Sequence, residues 1–302
     1  MSIRSATLDD VVEHCDRLVR QDRRHRPESA PIAAFDADGT LWGPDVAELL
    51  WDRLMAGKSL TRKAVPSIAS ALRGLGAEPT GEAHGDYARL ADLYRSGGCP
   101  EETMVRAMLQ GLAGISENDL YAHSQEAIAA CEDLRQIASG DSRKMVDQLR
   151  AIGFHAIVVS SSPRWAVETA GRPRGIEPHD ILAGQVAVVG GVLTDGVIEP
   201  LPHGRGKIEA ILKRFGAVPR ISLGNALGDL AMMTATSALR ILVNPTDEMV
   251  VACDGIPGDT WALGLIGPAV AAGQSGRGTA KKSGRAGRAA QEKKPRRPIA
   301  DA

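Results

Sequence analysis

The sequence has little of several features that mark specialised classes of protein. Its four cysteines are scattered, with no C-x-x-C pair and no histidine at zinc spacing, which argues against a zinc site or a disulfide scaffold. No apolar run approaches the ~18 residues that span a bilayer. The first residues lack the apolar centre of a signal peptide. We therefore expect a cytoplasmic protein with free thiols and no membrane partner.

Charge is balanced overall but is divided unevenly along the chain. The formal net charge is −1, yet residues 274–302 contain nine Lys or Arg and two acidic residues, so this segment is at +7 and the rest at −8. The segment 273–302 has no periodic apolar positions and is predicted to be a disordered basic tail. A solvated extension and a contact with nucleic acid or an acidic partner both fit its charge. No aromatic residue interleaves the basic ones, which argues against base stacking.

The most informative stretch is a short apolar run that ends in two carboxylates. Residues 31–35 are apolar or small and lead directly to Asp36 and Asp38, with Gly39 and Thr40 after them. This pattern predicts a buried strand of a parallel sheet with its chemistry at the carboxyl end. Two acids so close repel each other unless a cation lies between them, which indicates an oxygen-ligand site suited to Mg²⁺. Gly39 permits a sharp turn, and Thr40 can bond to the backbone or to the first carboxylate.

The rest of the chain alternates between predicted strands and helices. The stretches 154–159, 220–223 and 239–243 predict further strands. Residues 186–198, with Thr-Asp-Gly at 194–196 in the middle, predict a β-hairpin. Helical spacing dominates from 59 to 136. The pattern predicts an α/β fold with a doubly wound, Rossmann-like parallel sheet and an all-helical insertion after the first core strand. We expect an α/β core at 1–44 and 138–272, a helical cap at 45–137, and the tail at 273–302.

Four polar clusters fall at predicted strand ends or helix starts, the edge at which open α/β sheets bind ligands. They are Asp36 with Asp38, Ser160, Lys207, and Asn225 with Asp229. In order and spacing they resemble the four motifs of the haloacid dehalogenase-like (HAD) hydrolase superfamily. The Ser-x-Ser-Pro and Gly-x-Gly-Lys patterns look most like the phosphoserine-phosphatase-like branch (HAD-IB type) with a helical cap. The resemblance covers residues 33–245.

The resemblance implies a role for each cluster. Asp36 would be the nucleophile that forms an aspartyl-phosphate, and Asp38 the general acid and base. Ser160, with backbone amides, would hold phosphate oxygens, and Lys207 would supply positive charge. Mg²⁺ would be bound by Asp36, the Asp38 carbonyl oxygen and Asp229.

Two positions bear on the kind of activity. Dehalogenases and phosphonatases of the superfamily lack an acid two residues after the nucleophile, so Asp38 favours phosphate-ester hydrolysis or phosphotransfer. The first acidic position of the fourth motif is Asn225, another candidate metal ligand. Its neutral oxygen should bind Mg²⁺ more weakly. One alternative is therefore a HAD fold that has lost its metal and its activity.

Several residues beside the motifs are candidate substrate contacts, namely Thr40, Trp42, Asp45, Ser161 and Arg164. Asp45 matches an acidic substrate-contacting position of phosphoserine phosphatases and equally fits a helix N-cap. Trp42 and Trp165 could hold a cationic head group such as choline, or could pack the cap against the core. Arg164 could bind an anionic substrate group, or could be an exposed arginine at a helix start.

These observations lead to one principal hypothesis. We expect a Mg²⁺-dependent phosphatase that hydrolyses a small phosphomonoester metabolite, similar to phosphoserine or phosphocholine, through an aspartyl-phosphate. The alternatives are a phosphotransferase or mutase with the same nucleophile, and a catalytically inactive HAD-fold binding module. No pattern in the sequence indicates an oligomeric state.

Overall fold

The computed structural model describes residues 3–25, 30–136 and 141–263. Its strands, in chain order, are β1 (Arg4–Ser5), β2 (Ile32–Phe35), β3 (His155–Pro163), β4 (Ile181–Gly184), β5 (Val186–Val189), β6 (Val192–Val197), β7 (Ile221–Gly224), β8 (Leu239–Val243) and β9 (Asp259–Leu263). Its helices are α1 (Leu8–His25), α2 (Val46–Ala56), α3 (Val65–Gly74), α4 (Ala83–Arg95), α5 (Glu101–Gln110), α6 (Glu117–Ala130), α7 (Glu132–Gln136), α8 (Asp141–Ile152), α9 (Arg164–Gly171), α10 (Arg205–Phe215), α11 (Leu230–Ala235) and α12 (Asp247–Asp254).

Within these ranges, seven strands form one sheet in the order β1-β9-β8-β7-β2-β3-β4. Every neighbouring pair is parallel. β2 lies between β7 and β3, and all four of its residues are buried. A strand covered on both faces needs a continuous apolar run, which Ile-Ala-Ala-Phe provides. The predicted α/β class with a doubly wound parallel sheet is confirmed.

Three strands of the sheet, β1, β4 and β9, are not predicted by the sequence analysis. β1 (Arg-Ser) and β9 (Asp-Thr-Trp-Ala-Leu) contain no apolar run as long as that of β2, and β4 has only the four residues Ile-Leu-Ala-Gly. β9 forms because it pairs along its length with β8, from Asp259 opposite Leu239 to Leu263 opposite Val243. Their strand character therefore depends on neighbours that are distant in sequence.

Between β2 and β3, helices α2 to α7 form the insertion. The helical character predicted for this part of the chain is confirmed. Asp45 begins α2, since its Oδ1 accepts hydrogen bonds from the backbone amides of Ala47 and Glu48 at 2.8 and 3.1 Å. Inside the insertion, the rings of Trp51 and Tyr87 stack with centroids 3.9 Å apart.

The predicted β-hairpin is present as β5 and β6, but its turn lies elsewhere than expected. The chain reverses at Gly190 and Gly191, both with positive φ (59° and 78°), as a two-residue type I′ turn requires. The predicted middle, 194–196, lies inside β6. The hairpin also contacts the insertion, because Leu193 exchanges backbone hydrogen bonds with Gly114 and Ile115 at 2.8 and 2.9 Å.

Some predictions fall partly or wholly outside the described residues. These are the basic tail at 273–302 and the last part of the expected core, 264–272. In the part of the chain that the structure describes, no helix combines the length and the apolar character needed to cross a bilayer.

Candidate active site

A lysine and two aspartates form a buried cluster at the carboxyl edge of the sheet. Asp36 directly follows β2, Lys207 lies in the first turn of α10, and Asp229 lies just before α11. Lys207 Nζ is 2.6 Å from Asp36 Oδ1 and 2.6 Å from Asp229 Oδ1. All three residues are buried. One ammonium group therefore holds two carboxylates in place.

Two glycines before Lys207 allow α10 to begin at this point. Gly204, the residue that precedes α10, has a φ of 52°. Gly206 lies so close to Leu201 that a Cβ at this position would be 1.8 Å from the Leu201 carbonyl oxygen. The Gly-x-Gly-Lys pattern thus has a steric reason: the chain must pass close to its own backbone to bring Lys207 under the strand ends.

The surroundings of Asp36 and Lys207 set their charges. Burial raises the pKa of Asp36 to about 7 and repulsion from Asp229 adds to this, whereas the Lys207 ammonium opposes it. Burial lowers the pKa of Lys207, but the two carboxylates outweigh burial and the net shift is upward. Thr40 Oγ1 donates a hydrogen bond to Asp36 Oδ2 at 3.1 Å. Lys207 therefore remains charged and favours the ionised form of Asp36.

Asp38 has a different set of partners. Its Oδ1 accepts hydrogen bonds from Trp42 Nε1 at 2.6 Å and from the backbone amide of Val46 at 3.1 Å. Its Oδ2 accepts one from Ser162 Oγ at 2.6 Å. Burial, and then repulsion from Asp45, raise the pKa of Asp38 to about 7. The pKa values of Asp36 and Asp38 are thus raised alike, but the partners of the two carboxyl groups differ: Asp36 is bonded to a cation and Asp38 to neutral donors.

Asp45 lies at the same edge of the sheet, and its own acidic side chain is open to solvent. The residue is exposed, but protein atoms packed around its carboxyl group desolvate it and, with repulsion from Glu48, raise its pKa to about 6. Besides capping α2, it is close enough to Asp38 to raise the pKa of that group. Its two hydrogen bonds to backbone amides establish Asp45 as the N-cap of α2. Because the residue is exposed, it is also accessible to a ligand.

Asn225 lies against the turn that carries Asp38. Gly39 has a φ of 78°, and a Cβ there would be 1.9 Å from Asn225 Nδ2. The Asn225 backbone amide donates to Asp229 Oδ2 at 3.0 Å, and that of Ala226 donates to the same oxygen at 3.2 Å. The substituted position of the fourth motif is therefore packed between the two loops that hold Asp38 and Asp229.

The donors at this edge fit Mg²⁺ in type. The side chains of Asp36, Asp229 and Asn225 all offer oxygen atoms, the ligands that this hard cation prefers. Among the described residues, no group of three or more His, Cys, Asp and Glu side chains is arranged to hold a metal ion. The donor set here is two carboxylates and one amide, and Lys207 is bonded to one oxygen of each carboxylate.

The two serines after the second predicted strand lie at the end of β3. Ser160 is buried, and its Oγ accepts a hydrogen bond from the Ser162 backbone amide at 3.1 Å. Ser161 is half-buried, and a Cβ on Gly184 would be 2.6 Å from its carbonyl oxygen. Both serines are therefore placed at the carboxyl edge of the sheet, next to the loop of Asp38.

Arg164 and the two tryptophans have protein partners. Arg164 Nε is 2.5 Å from Glu168 Oε1, and Tyr121 of α6 donates to the other oxygen of Glu168. Trp165 Nε1 donates to Glu117 Oε1 at 3.1 Å. Trp42 and Trp165 are both fully buried. Their burial agrees with the alternative in which tryptophans pack the insertion against the core.

Sequence analysis missed two residues of the site, Ser162 and Arg174. Ser162 could have been found, since residues two apart on a strand face the same side and Ser160 was already a candidate. Arg174 is 2% exposed, and its guanidinium lies 5.3 Å from the ring centroid of Trp42. Its nitrogens donate to the carbonyl oxygens of Ala170 and Leu134, and burial lowers its pKa to about 10. No local pattern marks it.

The fold and the site together define an α/β enzyme with its reactive groups at the carboxyl edge of a parallel sheet. A family model described as haloacid dehalogenase-like hydrolase matches residues 33–234, and the chain therefore belongs to this family. The superfamily predicted from the four motifs is confirmed, and the protein is therefore an enzyme of a hydrolase family.

Solved structures to which the chain is similar have low sequence identity. A protein of unknown function from Bordetella pertussis Tohama I has a TM-score of 0.58 and 18% identity, covering 79% of this chain and 100% of that chain. A functionally unknown protein from Anaerococcus prevotii DSM 20548 has a TM-score of 0.55 and 14% identity, covering 82% and 90%. A phosphoserine phosphatase with a phospho-aspartyl intermediate analogue has a TM-score of 0.48 and 15% identity, covering 78% and 94%. No curated protein sequence matches the chain.

Proposed function

We propose that this protein is a Mg²⁺-dependent phosphomonoesterase that acts on a small phosphorylated metabolite through an aspartyl-phosphate on Asp36. The observation that carries the proposal is the contrast between the two carboxyl groups of the first motif. Lys207 is 2.6 Å from Asp36, whereas the hydrogen bonds to Asp38 come from an indole, an amide and a hydroxyl group. A nucleophile must be ionised and a general acid protonated. Lys207 favours the ionised form of Asp36, whereas burial and the negative charge of Asp45 favour the protonated form of Asp38 against its three hydrogen-bond donors.

The proposed reaction has two steps. In the first, a carboxylate oxygen of Asp36 attacks phosphorus while the ester P–O bond breaks, and Asp38 gives its proton to the departing oxygen. In the second, Asp38 takes a proton from water as that water attacks phosphorus, which releases phosphate and restores Asp36. Lys207 keeps a positive charge next to the attacking oxygen, so that the repulsion between two anions is reduced.

Mg²⁺ would be held by the carboxylates of Asp36 and Asp229, the amide oxygen of Asn225 and the carbonyl oxygen of Asp38. When bound, it would supply positive charge to the oxygens of the transferring phosphoryl group. The oxygen donors brought together at this edge support this assignment.

Substrate choice would depend on the insertion and on residues near Asp38. We propose that residues 45–137 act as a cap on a core formed by 1–44 and 138–272. Exposed Asp45 would attract a cationic group, as in phosphoserine or phosphocholine. Ser161 and Thr40 would lie near the phosphate, and Arg164 could meet an anionic group only after partial release from Glu168, 2.5 Å away.

Hydrolysis of p-nitrophenyl phosphate by the purified protein tests the proposal. We expect phosphate release that requires Mg²⁺, is abolished in Asp36→Asn, and persists in the control Asp92→Asn, which removes an exposed carboxylate on α4. Loss of activity in both variants, or activity that survives in Asp36→Asn or in excess chelator, would contradict it.

A second candidate function is favoured by Asn225. A neutral side chain at this position would weaken metal binding, and a protein without its metal could serve as a binding module instead. Such a protein would release no phosphate from small esters over a broad range of Mg²⁺ concentration. A phosphotransferase or mutase, the other alternative, would transfer the group to an added sugar acceptor in preference to water.

We also propose a cytoplasmic location. All four cysteines are free thiols, as a reducing compartment favours.

A contact of the basic tail with nucleic acid is a further alternative. Such binding would be lost when residues 274–302 are deleted, and it would weaken at high salt.

A further inference from the structure

We infer that Ser162 is a positioning residue that holds the proton of Asp38 on one carboxyl oxygen, Oδ2, and donates a hydrogen bond to that oxygen once Asp38 has given its proton to the departing group. This inference rests on the proposed function. It assigns a role to a buried serine outside the four polar clusters on which that proposal is based.

The hydrogen bonds of Asp38 determine which oxygen can carry a proton. Oδ1 faces Trp42 Nε1 at 2.6 Å and the amide of Val46 at 3.1 Å. An indole N–H and a backbone N–H can only donate, so Oδ1 must remain an acceptor. The proton of the acid form is therefore confined to Oδ2.

Ser162 is suited to the remaining oxygen because a hydroxyl group both donates and accepts. Its Oγ is 2.6 Å from Asp38 Oδ2, and it can accept from the carboxylic acid or donate to the carboxylate by rotating its hydrogen. When Asp38 transfers its proton to the departing oxygen, the bonding pair of the broken P–O bond goes to that oxygen. The new carboxylate then receives the Ser162 hydrogen bond without any heavy atom moving.

The backbone holds Ser162 rigidly in this position. It is buried near the end of β3, and its amide donates to Ser160 Oγ at 3.1 Å. Trp42, which restricts Oδ1, is itself fully buried under the Arg174 guanidinium, 5.3 Å from its ring centroid. Trp42 and Ser162, the two side chains bonded to Asp38, are thus held in place before a substrate arrives, which is how groups that act on a transition state are supported.

A leaving-group comparison tests this role. Phenyl phosphate and p-nitrophenyl phosphate have similar shapes, but the nitro group stabilises the departing phenolate, whereas phenolate itself needs a proton, since phenol has a pKa of about 10 like tyrosine. We expect Ser162→Ala to lower kcat/KM for phenyl phosphate roughly tenfold more than for p-nitrophenyl phosphate, because a hydrogen bond to a charged group is lost. Ser162→Thr, which keeps the hydroxyl group, should have the same ratio of the two kcat/KM values as the wild type. Ser222→Ala, which removes another buried serine hydroxyl of the same sheet, should leave the ratio unchanged.

The ratio of the kcat/KM values for the two esters remains informative if a variant folds poorly, because the fraction of folded protein cancels in this ratio. The inference would be overturned if the ratio were unchanged in Ser162→Ala, or if Ser162→Thr changed it as much as Ser162→Ala does. Either result would leave the proposed phosphatase activity standing. A wild-type protein that releases phosphate from neither ester would overturn both.

Discussion

Removing the charge of Lys207 and removing that of Asp36 should both abolish activity, but the two changes should affect stability very differently. Lys207→Met leaves Asp36 and Asp229 facing each other, each with an oxygen that was 2.6 Å from the lost ammonium. Asp36→Asn instead leaves Lys207 paired with Asp229. The first change therefore creates two unpaired buried carboxylates, and the second leaves one balanced pair.

The magnitude follows from the burial of the three groups. Removing one partner of a buried ion pair costs about 3–5 kcal/mol of unfolding free energy, and Lys207 serves two partners. We expect Lys207→Met to lose about 3–5 kcal/mol at pH 8 and Asp36→Asn to change by only about 1 kcal/mol. The loss in Lys207→Met should shrink at lower pH, because burial and Asp229 already raise the pKa of Asp36 to about 7 and the acid form relieves the repulsion.

Urea unfolding in a chelator, followed by circular dichroism, measures these differences. Lys213→Met is the matched control, since this exposed lysine lies on the same helix. Its Nζ donates to the Glu199 carbonyl oxygen at 2.7 Å, an exposed hydrogen bond whose loss should change stability by about 1 kcal/mol or less. Added Mg²⁺ should stabilise Lys207→Met more than the wild type, because the ion supplies the missing positive charge. Equal losses in Lys207→Met and Asp36→Asn would refute the charge argument.

Three further predictions concern neighbouring residues. Asn225→Asp should raise Mg²⁺ affinity about tenfold or more, measured by calorimetry, and an unchanged affinity would exclude this position as a ligand. Because burial and Asp45 raise the pKa of Asp38 from 3.8 to about 7, the folded state holds this proton more tightly than the unfolded state. Stability should therefore fall as pH rises from about 4 to about 7, and Asp38→Asn should flatten this fall in urea titrations; an equally steep fall would contradict the assignment. Gly39→Ala should cost more stability than Gly216→Ala. Both glycines have positive φ, but a Cβ added at Gly39 would be 1.9 Å from Asn225 Nδ2, whereas one added at Gly216 would meet nothing within 4 Å; the left-handed φ alone costs about 1–2 kcal/mol in each, and equal melting temperatures would contradict the steric reason.

Much of the fold follows from local patterns that can be recognised in the sequence. The run 31–35 is apolar because β2 is buried on both faces, so its composition alone indicates a central strand. Asp45 begins α2 through bonds to amides two and three residues ahead, an interaction that depends on neighbours in sequence. The strand β8 (Leu239–Val243) has the bounds expected from its sequence, which is apolar except for Arg240. Patterns of this kind are legible because the interactions that produce them are short in range.

Other features required the tertiary structure. β1 has two residues, Arg4 and Ser5, and exists as a strand because it pairs with Trp261 and Ala262. The hairpin turn depended on positive φ at two adjacent glycines rather than on the Thr-Asp-Gly sequence within β6. Short strands and tight turns of this kind are decided by pairing, which is not visible in the composition of the segment itself.

The candidate active site likewise combines features that follow from the sequence with features that depend on tertiary contacts. The sequence determined which residue types stand at the strand ends, and thereby the family, the candidate nucleophile Asp36 and the lysine opposite it. The partners were decided by contacts between distant parts of the chain: Lys207 meets Asp36 across 171 residues, and Ser162 meets Asp38 across 124. The physical reason is that a hydrogen bond needs an atom within about 3 Å. Only the parallel packing of β2 against β3 and β7 brings these loops that close, so the surroundings that distinguish Asp38 from Asp36 belong to the folded protein.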